Sequence, residues 1–228
     1  MTITLAELRV QARRRSDMES SQFVTDGELT SYINNSIAEL HDVLSDAYGS
    51  EYFVTVTSSQ TITNGIDRYD LPTDFYELKG VDLKLTNQEW TNVKRFNFNE
   101  RNRFANSSAW EVTGTSNIRY RIVGGQIIFS PTPDVDAEYR LWYTPLPTVL
   151  QNDSDELQDF NAYSEYVVVD VAIKMLQKEE SDVSVLMAQK KALEKRIRDK
   201  SQNRDAAGSD TISDIYAEAD DYFFRRGV

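Results

Sequence analysis

The spacing of hydrophobic residues along this 228-residue chain changes twice. Residues 51–150 alternate between apolar and polar side chains, whereas the regions before and after them show helical spacing. A helix with one apolar face must bury that face against another element. The sequence therefore predicts an α+β fold, in which residues 1–50 and 159–203 form a helical bundle and residues 51–150 form a β-rich insertion. Within residues 1–50, the clearest apolar stripe at helical spacing consists of Leu29, Ile33, Ile37, Leu40 and Leu44.

Two helices in the N-terminal region carry signals at their ends. Thr4 precedes Glu7, and Thr25 precedes Glu28, at the spacing of a capping box. Gly49 follows the second apolar stripe and is typical of a helix end. These signals predict a helical hairpin.

The C-terminal helical region has an apolar face wide enough to be buried. Ser181 and Asp182 fit the start of a helix, so residues 160–203 form either one long helix or two shorter ones, and the sequence leaves both open. The apolar face includes Phe160, Tyr163, Val167, Val171 and Leu176.

Two glycine-containing turns are predicted to separate strands in the β-rich region. Asn64–Gly65 predicts a hairpin between residues 51–63 and 66–72. Gly124–Gly125 predicts a second hairpin, formed by the strand before these glycines and the strand after them. Several strands with tight turns favour a compact sandwich or barrel-like insertion. The other predicted elements are strands over residues 75–85, 91–96 and 137–145 and a short helix over residues 97–105.

Several kinds of active site are excluded by composition. The chain has no cysteine, so disulfides, thiolate metal sites and cysteine nucleophiles are impossible. His41 is the one histidine, which rules out a zinc site with two histidines from one chain. A Ser-His-Asp triad would have to use His41, but this residue falls in a helical stretch and is predicted to be a partly exposed helix residue.

Two groups of acidic residues offer a possible carboxylate pair or calcium site. Neither has the spacing of a known motif, and acids before a helix are expected from capping and from the helix dipole. We therefore predict no catalytic residue, no metal and no cofactor. The first group is Asp67, Asp70, Asp74 and Glu77, and the second is Asp153, Asp155, Glu156 and Asp159.

A net charge of −12 opposes non-specific binding to nucleic acid. Residues 190–200 are locally basic, but interleaved acids predict a solvated helix face there. Arg13, Arg14 and Arg15 suit the end of a helix, and pairing with an acidic neighbouring subunit is the open alternative. The sequence has neither the apolar segment of a signal peptide nor a membrane span, so synthesis in the cytoplasm is expected.

Four segments together resemble the head-to-tail adaptor proteins of tailed bacteriophages. The resemblance extends to about residue 203 and depends on the order of the segments, because none is a catalytic signature. The segments are "LAELRVQARRRSDMESSQFVTDGELTSYINNSIAELHDVL", "YDLPTDFYELKGVDL", "IIFSPTPDVDAEYRLWYTPLP" and "NAYSEYVVVDVAIKMLQKEESDVSVL".

The resemblance implies a structural, non-enzymatic protein of the virion neck. Members of the adaptor family form a ring, typically of twelve copies, beneath the portal protein and continue the DNA channel towards a tail or nozzle protein. DNA would pass without specific binding. The alternatives are another neck or tail-ring component, or a carbohydrate-binding or glycoside-hydrolysing tail protein that uses acids beside Trp90, Trp110 or Trp142.

Residues 204–228 are predicted to form an extended C-terminal arm, as the resemblance implies. Aromatic and arginine side chains dominate many protein interfaces. The arm is therefore expected to dock on the portal, and the alternative is that it packs on the helices of its own chain. The expected docking residues are Tyr222, Phe223, Phe224, Arg225 and Arg226.

Overall fold

The computed structural model describes residues 3–19, 23–49, 51–86, 88–101, 117–158 and 160–201. This part of the chain has helices at both ends and strands between them, which confirms the predicted α+β fold. Its helices are α1 (Leu5–Arg15), α2 (Asp26–Tyr48), α3 (Ser164–Lys178) and α4 (Ser184–Ser201). Short 3-10 helices span Phe98–Glu100 and Asn161–Tyr163.

Both predicted capping boxes are present. The Thr4 and Thr25 side chains accept hydrogen bonds from the backbone of Glu7 and Glu28, and each glutamate side chain accepts one from the threonine backbone. Helix α2 ends at Tyr48 and is followed by Gly49, whose φ of 90° is unfavourable for residues with a Cβ atom. Local sequence signals thus determine where these helices begin and where α2 ends.

The C-terminal helical region consists of two helices, which settles the question that the sequence leaves open. Glu180 has a φ of 59°, so the helical conformation does not continue past the end of α3. Asp182 then accepts a 2.9 Å hydrogen bond from the backbone nitrogen of Ser184 at the start of α4. The break lets α4 fold back on α2 and α3.

The four helices share one hydrophobic core. Its members come from each helix and from the loop that returns from the β region, because every helix presents one apolar face to the others. Fully or almost fully buried members include Leu8, Leu29, Ile33, Leu40, Val167, Val171, Met175 and Ile197.

The first of two sheets is built on a long antiparallel pair. Strand β9 (Ala137–Pro145) pairs with β4 (Phe75–Leu85), with Leu83 opposite Tyr139. Strands β1 (Thr55–Val56) and β2 (Gln60–Ile62) pair with the other edge of β9, and β5 (Thr91–Asn92) pairs with β4.

The second sheet has the order β3-β8-β7-β6. Both sheets contribute to one core, so the insertion is a sandwich, with Leu83 and Tyr139 from one sheet and Phe129 from the other. The strands of the second sheet are β3 (Arg68–Asp70), β6 (Lys94–Arg95), β7 (Arg119–Val123) and β8 (Gln126–Ser130).

One of the two predicted hairpins is correct. Gly124–Gly125 joins the antiparallel strands β7 and β8, with Val123 opposite Gln126. The prediction for Asn64–Gly65 is wrong, because the strands on its two sides belong to different sheets: β2 pairs with β9, and β3 pairs with β8. The turn is present, but it carries the chain from one layer of the sandwich to the other.

Residues 146–158 tie the sandwich to the helical bundle. The backbone nitrogen of Leu5 donates to Asp155 and that of Leu157 donates to Ile3, each at 2.8 Å. Asn34 on α2 binds both backbone groups of Leu150 at 2.9 Å. This segment runs between the two hydrophobic cores and forms one wall of the cleft described below.

Candidate interaction surfaces

The predicted docking residues of the arm, Tyr222 to Arg226, lie outside the described residues, as do Trp110 and Asp159. The surfaces that the structure does describe are a cleft, a polar network between helices and the outer face of α4.

The cleft lies between the helical bundle and the sandwich and has a volume of about 910 Å³. One wall is formed by residues 52–55 and the other by residues 145–150. Leu146 and Val149 on the second wall are 48% and 59% exposed, so apolar surface continues from the cleft to its rim. The sequence-based predictions do not include this site, although the sequence carries a signal for it: "PLPTVL" places Leu146, Val149 and Leu150 beside two prolines at the end of the last strand.

Asp74 and Tyr143 place a polar pair in the cleft. The Tyr143 hydroxyl donates to both carboxylate oxygens of Asp74, at 3.0 and 3.1 Å. Burial and the hydrogen bond to Asp74 together raise the pKa of the Tyr143 phenol. Tyr143 therefore stays a neutral hydrogen-bond donor in neutral solution.

His41 lies at the bottom of the cleft, stacked on Phe53 with ring centroids 4.5 Å apart. It is 3% exposed, so the prediction of a partly exposed helix residue is wrong. Burial results because Phe53 and Phe160 cover the imidazole from outside α2. Among the described residues, Nε2 of His41 has no hydrogen-bond partner.

A row of aromatic rings extends from the cleft towards α4. Phe53 contacts Tyr52, and Tyr52 stacks on Tyr48 at 4.6 Å. The Tyr48 hydroxyl is hydrogen-bonded to that of Tyr163. Burial and this hydrogen bond raise the pKa of Tyr163 to about 12, although the positive charge of Arg196 on α4 acts in the opposite direction. Leu193 on α4 packs against the same hydrophobic core as Tyr48, Tyr52 and Tyr163, so this part of α4 lies near the aromatic row.

A polar network joins helices α2, α3 and α4. Asp170 is 3% exposed and accepts 2.6 Å hydrogen bonds from both Lys174 and Lys190. The same lysines bind Glu39 at 2.9 and 3.0 Å. Burial alone would raise the pKa of Asp170, but the two lysines outweigh it and lower that pKa. Hydrogen bonds to Asp170 and Glu39 likewise outweigh burial and raise the pKa of Lys190.

The acidic groups highlighted by the sequence have structural partners. Asp70 accepts a hydrogen bond from Gln126, and Asp153 forms an ion pair with Arg9. Asp155 accepts from the backbone nitrogens of Asn152 and Gln151, which lower its pKa. No group of three potential metal ligands is found among the residues that the structure describes.

Trp90 and Trp142, the two described tryptophans of the carbohydrate alternative, lie beside one arginine. The Arg140 guanidinium lies over Trp90 and Trp142, at 4.6 and 5.3 Å from the ring centroids. Asp82 accepts from Arg140 Nε at 2.9 Å and from Trp142 Nε1 at 2.8 Å. The carboxylate of Asp82 that contacts Trp142 is thus engaged within the protein, which gives no support to a glycosidase site at this cluster.

The arginines at the end of α1 have partners within the chain. Arg13 binds Asp26 at 2.9 Å, and Arg15 pairs with Glu165. In contrast, Lys191, Lys195 and Arg198 are exposed on α4, as predicted for residues 190–200, whereas Lys190 of the same stretch is partly buried against Asp170. Within the described ranges, no helix is both long and apolar enough to span a membrane.

Comparison with known proteins agrees with this architecture. Curated proteins give no match to the chain. The family model described as the SU10 adaptor protein matches residues 3–213, which include both helical regions and the whole sandwich. This match supports a bacteriophage adaptor, a structural protein of the virion neck. The chain belongs to the SU10 adaptor protein family.

Proposed function

We propose that this protein is a head-to-tail adaptor, twelve copies of which form a ring beneath the portal and continue the DNA channel to a tail or nozzle protein. The observation that carries the proposal is the adaptor-family match over residues 3–213. The fold supports it, because a helical bundle with a separate sandwich core offers two surfaces, one for ring contacts and one for the tail side.

Charge on the helices suits contacts between copies in a ring. A ring requires two different surfaces of the subunit to meet. The exposed face of α4 carries Lys191, Lys195 and Arg198, whereas the exposed face of α2 carries Asp42 and Asp46. Opposite charges on two helices favour a contact between α4 of one copy and α2 of the next, since complementary potentials select the partner and its orientation.

The acidic balance of the chain suits a channel for DNA. A net charge of −12 repels phosphate, so DNA passes the ring without being held. Residues Tyr222, Phe223, Phe224, Arg225 and Arg226 are the proposed portal-docking element, as aromatic and arginine anchors dominate many interfaces. In this proposal residues 1–50 and 159–203 form the ring contacts, residues 51–150 widen the ring or meet the tail, and residues 204–228 hold the portal.

The experiment is co-sedimentation with the portal ring from the same genome. Three proteins are compared: the full chain, a chain that ends at Asn203, and a full-length variant in which Tyr222, Phe223 and Phe224 are all serine. The serine variant keeps chain length and both arginines, so it separates the aromatic anchors from the length and charge of the arm.

We expect saturable binding by the full chain and loss of binding by both variants. Binding by all three would uphold the adaptor function but refute docking through the arm. Failure of the full chain to bind an intact portal ring would refute portal docking altogether.

A further inference from the structure

We infer that the cleft between bundle and sandwich is a docking site for residues 222–226 of the same chain. Its walls expose Leu146 and Val149, at 48% and 59%, beside the apolar side chains of Val54 and Phe53. Contiguous apolar surface of this kind marks an interaction site. The volume of about 910 Å³ is large enough for more than one aromatic side chain, since clefts of this size hold drug-sized ligands.

The charge of the cleft matches the charge of this segment. The described residues that line the cleft include Asp74 and Glu156 but no lysine or arginine. The segment combines three adjacent aromatic residues, Tyr222 to Phe224, with Arg225 and Arg226. Aromatic rings would fill the apolar floor, and the guanidinium groups would face the carboxylates at its edge.

Helix α4 comes close to the aromatic row that leads to the cleft. Helix α4 is described as far as Ser201, and Arg196 on it acts on Tyr163, which is joined through Tyr48 and Tyr52 to the cleft wall at Phe53. Twenty residues separate Ser201 from Tyr222, and their maximum extended length is about 70 Å. A compact chain of this size has a radius of gyration of about 17 Å, so the cleft is within reach.

Covalent attachment favours the segment of the same chain over a free competitor. A tether of this length raises the effective concentration of the segment at the cleft to about the millimolar range. This inference does not depend on portal binding, because it concerns the isolated chain.

Cross-linking tests the inference directly, because the chain contains no cysteine. A double variant with Leu146→Cys and Phe224→Cys is treated with a short bis-maleimide at low protein concentration. The matched control is Ile66→Cys with Phe224→Cys: Ile66 is also 48% exposed, but it follows the Asn64–Gly65 turn, next to Pro133 at the opposite end of β9. A third variant adds Tyr222→Ser and Phe223→Ser to the Leu146/Phe224 pair.

We expect links within one chain for the Leu146/Phe224 pair, about ten-fold above the Ile66 control, and a fall to the control level in the third variant. Equal linking at the two positions would overturn the inference. Linking that persists without Tyr222 and Phe223 would mean that the segment is only near the cleft and does not dock through its aromatic side chains, which would also overturn the inference. Links between chains alone would assign the cleft to the segment of a second copy.

Discussion

Lys190 on α4 donates a 2.6 Å hydrogen bond to Asp170 on α3, and this pair fixes the last helix against the bundle. Asp170 is 3% exposed and has a second lysine, Lys174, at 2.6 Å. Replacing Asp170 by asparagine removes the charge that both lysines neutralise. We expect Asp170→Asn to lower the free energy of unfolding by about 2 kcal/mol, the scale of hydrogen bonds to charged groups.

Urea unfolding measures this change, and Glu39→Gln is the matched control. Glu39 binds the same two lysines, but its side chain is 44% exposed. Exposed ion pairs contribute about 0.2–1 kcal/mol, so the control should lose less than 1 kcal/mol. Equal losses in the two variants would show that burial of Asp170 does not determine the strength of the network.

The same pair predicts how stability depends on pH. The pKa of Asp170 is lower in the folded chain than its ordinary value of 3.8, so its stabilisation is present above that value. It is lost as the pH falls through the lower, folded pKa. The pKa of Lys190 is raised above 10.5, so its contribution is present below that value and is lost as the pH rises through the higher, folded pKa.

Unfolding of the wild type and of Asp170→Asn across acidic pH measures the first of these effects. The difference in free energy between the two proteins should stay constant from neutral pH down to about pH 4 and then shrink. A difference that persists undiminished at about pH 2 would mean that Asp170 acts through packing and not through its charge.

Thr25 is predicted to stabilise the start of α2. Its side chain accepts from the Glu28 backbone, and Glu28 in turn binds Lys178 on α3 at 2.8 Å. Thr25→Ala should lower the free energy of unfolding by about 1 kcal/mol. Thr25→Ser retains the hydroxyl oxygen and should behave like the wild type in the same thermal unfolding measurement. A loss of equal size with serine would assign the effect to the threonine methyl group.

Features that depend on a few neighbouring residues could be predicted from the sequence. The capping boxes at Thr4 and Thr25 and the Gly124–Gly125 hairpin each depend on contacts within four residues, so local chemistry is sufficient. The Asn64–Gly65 hairpin was wrong because pairing with β9 and β8, more than fifty residues away in the chain, decides which sheet each flanking strand joins.

The burial of His41 and the cleft could not be predicted for the same physical reason. Phe53 and Phe160 cover the imidazole, and Phe160 comes from a distant part of the chain. The cleft needs residues 52–55 and 145–150 to face each other across the junction of two cores. Helical periodicity describes the face of one helix and carries no information about such neighbours.

Gly124 is predicted to be more sensitive to substitution than its neighbour Gly125. Gly124 has a φ of 61°, whereas a positive φ is not found at Gly125, and a Cβ atom at either position meets no atom within 4 Å. Gly124→Ala should therefore cost about 1 kcal/mol through backbone strain alone. Gly125→Ala should cost less, and thermal unfolding of both variants measures the difference. Similar losses would mean that strain at the turn is relieved by the strands β7 and β8.

His41 is predicted to be replaceable by an apolar residue. It is 3% exposed, and among the described residues its Nε2 atom lacks a hydrogen-bond partner. A buried polar group without a partner costs about 1–3 kcal/mol, so His41→Leu should leave the free energy of unfolding unchanged or raise it by about 1 kcal/mol. His41→Asn keeps a polar side chain but loses the ring that stacks on Phe53, and it should lower stability. Urea unfolding of both variants compares these effects. If His41→Leu lowered the free energy of unfolding more than His41→Asn, Nε2 would have to form a hydrogen bond in the folded chain. The view that His41 acts mainly through stacking would then be refuted.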